Sequence, residues 1–123
     1  MSNVEHDEIR EERIEMEIIV DAYNEAEQAM GWYYYLQDKL DFPFRAQWLN
    51  RRGQSQDRKV VVLEMSPEDE CQHEMFVEVL YREGEFEDVF SARLYEIEAI
   101  DAGSETQEAI ADWHYWVNRG YEL

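Results

Sequence analysis

The sequence predicts an α+β fold in which a small five-stranded antiparallel sheet, rolled into an SH3-like barrel, is flanked by a long N-terminal helix and a C-terminal helix. Two observations lead to this prediction: helical hydrophobic spacing at both ends of the chain, and short β-prone runs separated by turns between them. The chain has 123 residues, of which 45% are hydrophobic and 14% aromatic. That length and composition suit a single folded domain over residues 1–123.

The N-terminal helix is predicted over residues 17–40. Apolar residues recur there in steps of three, four and seven, as one face of a helix requires. Residues 1–16 are rich in Glu and Arg, and they are predicted to form either a frayed helical arm or a separate helix. The residues that carry the helical spacing are Ile19, Tyr23, Ala26, Met30, Tyr33 and Leu40.

The C-terminal helix is predicted to begin at Ser104 and to end near Asn118, before Gly120. Ser104 is expected to act as the N-cap and to form a capping box with Gln107, three residues further on. A glycine just beyond a helix favours its termination.

Five short β-prone runs lie between the helices. Several of them alternate apolar and polar residues, which is typical of half-buried strands. Turn signals separate the runs, among them a hairpin at Gly84 and a loop around Gly53. The predicted strands are Phe44–Leu49, Lys59–Met65, Met75–Tyr81, Phe86–Arg93 and Tyr95–Ile100.

The composition is strongly acidic, since 30 Asp and Glu against 11 Lys and Arg give a net charge of −19. Such a charge argues against binding nucleic acid and favours cations or a basic protein partner. The single cysteine, Cys71, excludes an internal disulfide and predicts a reducing compartment. No apolar run is long enough to cross a bilayer, and the acidic first residues do not resemble an export signal. We therefore expect a cytoplasmic protein without membrane contact.

Asp38 and Asp41 lie in or just after the last turn of the predicted N-terminal helix. The negative end of the helix dipole disfavours carboxylates there by about 0.3–1 kcal/mol each. A bound cation would reverse that cost, and free carbonyl groups at the helix end would add oxygen ligands of the kind that Ca²⁺ prefers. Lys39 is an alternative source of positive charge, so the sequence leaves both interpretations open.

Glu68, Asp69 and Glu70 follow Pro67 in a predicted turn. Three consecutive carboxylates crowded into a turn repel one another, which favours a counter-cation such as Ca²⁺. A solvated turn without any ion is an equally good interpretation.

Asp112 lies beside the predicted packing face of the C-terminal helix. A carboxylate at such a position is either paired with an arginine or serves as a metal ligand. The pair is favoured, with Arg119 or Arg45 as its partner, and Asp112 is a secondary candidate ligand for Ca²⁺.

Other metal sites and catalysis find no support. An EF-hand loop beginning at Asp101 fails, because Gly103 stands at a ligand position and Thr106 where glycine is required. Cys71 and His73 alone are too few for a zinc site and lack an oxyanion loop for nucleophilic catalysis. We therefore predict that the protein is not an enzyme.

Aromatic residues are concentrated in two strings, Trp32–Tyr35 and Trp113–Trp116. Without nearby positive charge they do not suit stacking on nucleic-acid bases. A core seam, in which the two helices pack together on the sheet, is the better interpretation.

Five segments carry a resemblance to a known family: Asp21-Ala22-Tyr23, Met30-Gly31-Trp32-Tyr33-Tyr34-Tyr35-Leu36, Leu40-Asp41-Phe42-Pro43-Phe44, Pro67-Glu68-Asp69-Glu70-Cys71 and Asp112-Trp113-His114-Tyr115-Trp116. Through them the chain resembles the cyanobacterial calcium-binding protein family CcbP from about residue 17 onward. The resemblance implies a calcium-binding protein without EF-hands that buffers or sequesters intracellular calcium and acts in calcium signalling during heterocyst differentiation. An acidic protein-interaction module or nucleic-acid mimic that docks on a basic partner is the alternative.

Overall fold

The computed structural model describes residues 7–49, 58–121 and 123. Its helices are α1 (Glu8–Arg13), α2 (Glu25–Lys39) and α3 (Ser104–Asn118), and a π-helical turn at Ile14–Ile18 follows α1. Its strands are β1 (Phe44–Trp48), β2 (Arg58–Met65), β3 (Phe76–Glu83), β4 (Phe86–Arg93) and β5 (Ile97–Asp101). An α+β fold with five antiparallel strands is thus confirmed. The loop predicted around Gly53 lies outside the described residues.

The sheet is open. Its strand order is β4-β3-β2-β1-β5, so β4 pairs only with β3 and β5 only with β1. A barrel requires hydrogen bonds that join the two outer strands. No such pair forms within the described residues, so the predicted closure into an SH3-like barrel is not confirmed. Helix α2 contacts β2, and α3 contacts β5. No helix in the described ranges is both long and apolar enough to cross a membrane.

The predicted continuous helix over residues 17–40 is wrong in its first third. The chain leaves the π-helical turn, reaches a positive φ of 63° at Asp21, and starts α2 only at Glu25. Asn24 is the N-cap, and its side-chain oxygen accepts a hydrogen bond from the backbone N–H of Glu27 at 2.8 Å. The Glu27 carboxylate in turn accepts one from the N–H of Tyr23 at 2.6 Å. This reciprocal capping fixes the start of α2, which the hydrophobic spacing alone does not reveal.

The predicted capping box at Ser104 is also wrong. Gly103 holds the N-cap position without a side-chain hydrogen bond, and Ser104 is the first helical residue. The Gln107 amide donates instead to the carbonyl oxygen of Ala102 at 2.7 Å. The end of the helix is as expected, since α3 stops at Asn118 and Gly120 follows with a positive φ of 94°.

The two aromatic strings meet in the core between α2 and α3. The ring centroids of Trp32 and Trp113 are 5.0 Å apart in an edge-to-face arrangement, and those of Trp32 and Trp116 are 5.6 Å apart. All three side chains are buried. This geometry is one that aromatic pairs prefer, and it confirms the core seam predicted from the sequence.

Gly31 lets α2 approach the end of the π-helical turn. A Cβ atom built on Gly31 would lie 2.2 Å from the carbonyl oxygen of Ile18. No real Cβ tolerates such a distance from a backbone atom, so any other residue would force the two segments apart. The π-helical turn itself ends with the N–H of Ile19 bonded to the carbonyl oxygen of Ile14 at 2.9 Å.

Asp112 is fully buried and joins three segments of the chain. Its carboxylate accepts hydrogen bonds from Arg10 at 2.7 Å and from two nitrogens of Arg13 at 2.8 and 3.0 Å. The hydroxyl of Tyr35 donates a fourth at 2.8 Å.

The predicted pairing of Asp112 with an arginine is confirmed, but the expected partners Arg119 and Arg45 are wrong. The hydrogen bond to Asp112 raises the pKa of the Arg13 guanidinium, and burial together with the bond to Asp112 raises the pKa of Tyr35.

We expect Gly31→Ala to destabilise the protein by about 1–3 kcal/mol, because overpacking against Ile18 outweighs the better helix propensity of alanine. Urea unfolding followed by circular dichroism measures this. Gly103→Ala is the matched control, since its Cβ would meet no atom within 4 Å, and its effect should be smaller. A stabilised Gly31→Ala variant would contradict the close approach.

We expect Asp112→Asn to lower the free energy of unfolding by about 2–4 kcal/mol, because two partly buried guanidinium groups lose their counter-charge. Glu108→Gln is the control. Glu108 contacts the same arginines at 3.3 Å from an exposed position, so its loss should cost less than about 1 kcal/mol. Equal costs for both variants in urea unfolding would show that burial of Asp112 does not matter.

Candidate functional site

The structure does not bring the six predicted ligands together. Asp112 lies in the interior with its oxygens bonded to Arg10, Arg13 and Tyr35. The other five are exposed and lie in two places, at the C-terminal end of α2 and in the turn that follows β2. Those five are Asp38, Asp41, Glu68, Asp69 and Glu70. The buried ion pair saturates Asp112, so the two exposed regions are the better candidates for a cation.

Asp38 lies in the last turn of α2, and Asp41 lies just beyond the C-cap residue, Leu40. Lys39, which could have neutralised them, points its ammonium group to Glu105 at 3.8 Å. Within the described residues, no ion pair reaches the carboxylate of Asp38 or Asp41. The unfavourable interaction of these two carboxylates with the helix dipole therefore still favours a cation at this end of α2.

The start of α3 lies next to this end of α2. The buried hydroxyl of Thr106 accepts a hydrogen bond from the backbone N–H of Asp41 at 2.9 Å and lies 3.5 Å from the carbonyl oxygen of Lys39. This contact positions the backbone of Asp41 and leaves its exposed carboxylate available. The end of α2 thus offers carboxylate oxygens on a fixed backbone.

Glu68, Asp69 and Glu70 form one turn of 3₁₀-helix, and all three are exposed. A 3₁₀-helix has about three residues per turn, so its successive side chains point in directions about 120° apart. Their mutual repulsion is therefore weaker than the sequence suggests. Glu68 is also engaged, because the Tyr34 hydroxyl donates a hydrogen bond to its carboxylate at 3.1 Å.

The donor chemistry of both regions suits calcium, because carboxylate and carbonyl oxygens are its usual ligands. The geometry is less complete. Among the described residues, no three His, Cys, Asp or Glu side chains are grouped closely enough to hold a metal ion. A calcium ion at either region would have to recruit side chains by rotation and complete its coordination shell with water.

A further carboxylate pair, which the sequence pattern does not reveal, lies on the sheet face opposite the buried valines of β3. Glu64 on β2 is paired directly with Glu78 on β3. The Glu78 carboxylate accepts hydrogen bonds from the hydroxyls of Ser66 at 2.6 Å and Ser91 at 2.8 Å. Like charges directly opposite one another destabilise a sheet, so this pair also favours a nearby cation. The pairing of Glu64 with Glu78 could not be predicted from the alternation of the strands, because a β-bulge between Val62 and Glu64 shifts the register of β2 against β3.

Cys71 and His73 do not form a metal or catalytic pair. The thiol of Cys71 is buried and accepts a hydrogen bond from the N–H of Phe76 at 3.4 Å, whereas His73 is exposed. Burial raises the pKa of the Cys71 thiol, which disfavours the reactive thiolate. The interpretation of Cys71 as a buried thiol is confirmed.

Comparison with known proteins supports the calcium hypothesis. One solved structure, described as a calcium binding protein in the calcium-binding form, is 52% identical, and the alignment covers 100% of both chains with a TM-score of 0.88. The crystal structure of CcbP from Anabaena is also 52% identical over 100% of both chains, with a TM-score of 0.87. No curated protein matches the sequence. The profile of the CcbP family, described as calcium binding, matches residues 12–117. The chain therefore belongs to the CcbP family of calcium-binding proteins.

Proposed function

We propose that this protein binds calcium through exposed carboxylates, without an EF-hand, and thereby buffers intracellular calcium. The observation that carries the proposal is the 52% identity over the full chain to a protein solved in its calcium-binding form. The structure adds two regions with suitable oxygen donors, one at Asp38 and Asp41 and one at Glu68–Glu70. The family is a calcium-binding family rather than an enzyme family, and we propose no catalysis.

The α2 end is the stronger of the two regions. The C-terminal end of the helix dipole is negative, and so are the carboxylates of Asp38 and Asp41. A bound cation would be attracted to both and would remove the repulsion between them. The 3₁₀ turn supplies three carboxylates on a short backbone, but calcium would compete there with the Tyr34 hydroxyl for Glu68. Neither region is preassembled, so we propose micromolar to millimolar affinity, as for other flexible sites with few fixed ligands.

The buffering role follows from this affinity and from the net charge of −19, which concentrates cations near the surface. A buffer must release its ion as well as bind it, and loosely organised exposed sites suit rapid exchange. Membership of the CcbP family leads us to propose further that calcium held here acts in calcium signalling during heterocyst differentiation. We also propose a cytoplasmic location, because the single cysteine suits a reducing compartment.

Isothermal titration with calcium, in the presence of magnesium, tests the ligand assignment. We expect Asp38→Asn with Asp41→Asn to weaken calcium binding at one site by tenfold or more, because two carboxylate ligands are lost. Neutralising Glu68, Asp69 and Glu70 should do the same at a second site.

The control for these variants is Glu85→Gln with Glu98→Gln, two exposed acids that belong to neither region. This control removes two negative charges, as many as the Asp38 and Asp41 variant does. It therefore separates the loss of metal ligands from a general loss of negative charge. Equal weakening in the control would refute the ligand assignment. An absence of both heat and thermal stabilisation at millimolar calcium would refute calcium binding itself, since a ligand of the folded state must raise its stability.

Calcium binding should weaken with acid and with salt. Asp and Glu carboxylates take up protons below about pH 5, and protonated ligands lose their charge. Salt screens the field of exposed charges, with a Debye length of about 10 Å at 0.1 M. Titrations at pH 7 and pH 4.5 should differ in affinity by about two- to threefold, and a pH-independent affinity would argue against carboxylate ligands.

A further inference from the structure

A groove of about 410 Å³ runs between the first turns of α2 and the segment 68–73. This size falls within the range of about 300–1,000 Å³ that is typical of ligand clefts. We call it the α2 groove. It lies beside the 3₁₀ turn and is formed entirely by described residues.

The helix side of the α2 groove is an apolar stripe. Ala26, Ala29, Met30 and Tyr33 all line it, and they follow the i, i+3, i+4, i+7 spacing of one helix face. Ala29 and Tyr33 are buried and form the floor, whereas Met30 is 39% exposed. Ala26, nearer the start of α2 on the same face, is also exposed. The two alanines, with their small side chains, leave the space that the groove occupies.

The rim of the α2 groove is acidic. Glu25 lies at its helix side and Glu68 at its turn side, and both are exposed. No lysine or arginine is among its lining residues. Asp69 and Glu70 extend the negative charge along the turn. An occupant that complements this surface combines apolar side chains with positive charge.

We propose that the α2 groove binds a basic amphipathic helix of a protein partner. The partner would seat an apolar side chain against Ala26 and Ala29 and direct lysine or arginine side chains to Glu25 and Glu68. This is the helix-in-groove mode of recognition, in which anchors at helical spacing enter an apolar groove. Met30, with its flexible thioether, adapts to the shape of such an anchor.

A second copy of this chain is a poor occupant. Each copy carries a net charge of −19, so two copies repel one another at long range. The same field attracts a basic segment and increases its rate of association. Charge complementarity therefore distinguishes the proposed partner from the protein itself.

The test uses the full chain in EDTA with a fluorescein-labelled amphipathic peptide of leucine and lysine, followed by fluorescence anisotropy. EDTA removes calcium, so the result does not depend on the proposed calcium sites, although Glu68 belongs to both. We expect saturable binding, and at least tenfold weaker binding of a peptide with the same composition but a scrambled order. Equal binding of both peptides would overturn the proposal, since attraction by charge alone would explain it.

Two pairs of variants locate the binding surface. Ala26→Trp fills the α2 groove and should weaken peptide binding at least tenfold. Gln37→Trp, on an exposed part of the same helix, should change binding less than twofold.

The second pair tests the acidic rim. Glu25→Gln with Glu68→Gln should weaken peptide binding at least fivefold, whereas Glu85→Gln with Glu98→Gln should weaken it less than twofold. Circular dichroism confirms that each variant is folded. Unchanged binding by the folded Ala26→Trp variant would place the peptide elsewhere and overturn the proposal.

Discussion

The buried carboxylate of Asp112 is the constraint on which the helical part of the molecule depends. A charge without solvent is tolerated only when other groups satisfy it. Here the partners come from two other segments, with Arg10 and Arg13 from the N-terminal segment and Tyr35 from α2. The three segments cannot separate without exposing or stranding this charge. The interaction therefore fixes the positions of α1 and α2 against α3, and with them the aromatic seam.

This arrangement changes the meaning of the acidic N-terminal sequence. Its many glutamates suggest a solvated arm, yet the bonds of Arg10 and Arg13 to Asp112 hold it against α3. Ile14 and Ile18 enter the core behind them, and Gly31 allows α2 to contact the π-helical turn. The segment from Glu8 is thus part of the folded unit, whereas the exposed glutamates contribute charge. Both candidate calcium regions lie on elements that this framework positions, at the end of α2 and beside its middle.

The sequence predicts the strands well because their signals are local. Turn residues such as Gly84 and the alternation within β3 depend only on neighbours along the chain. Sheet closure was not confirmed and the partners of Asp112 were mispredicted, because both depend on residues far apart in sequence. The start of α2 was missed although Asn24 and Glu27 carry a capping signal, since the hydrophobic spacing continued across the break. For the candidate site, the exposed positions of the carboxylates were predictable, but their directions depend on 3₁₀ geometry and a β-bulge.

The unpaired edge of the sheet links calcium binding to the tendency of the protein to associate with itself. In the described residues, β4 pairs on one side only and exposes Phe86 and Val89, with Glu87 and Asp88 between them. Such an edge is a template for pairing with another chain, and charged residues on and around it act as gatekeepers. A calcium ion bound at either proposed region would cancel part of the electrostatic repulsion that keeps copies of the protein apart. The acidity that favours calcium binding therefore also protects the edge strand, and occupation of the proposed regions by calcium would reduce that protection.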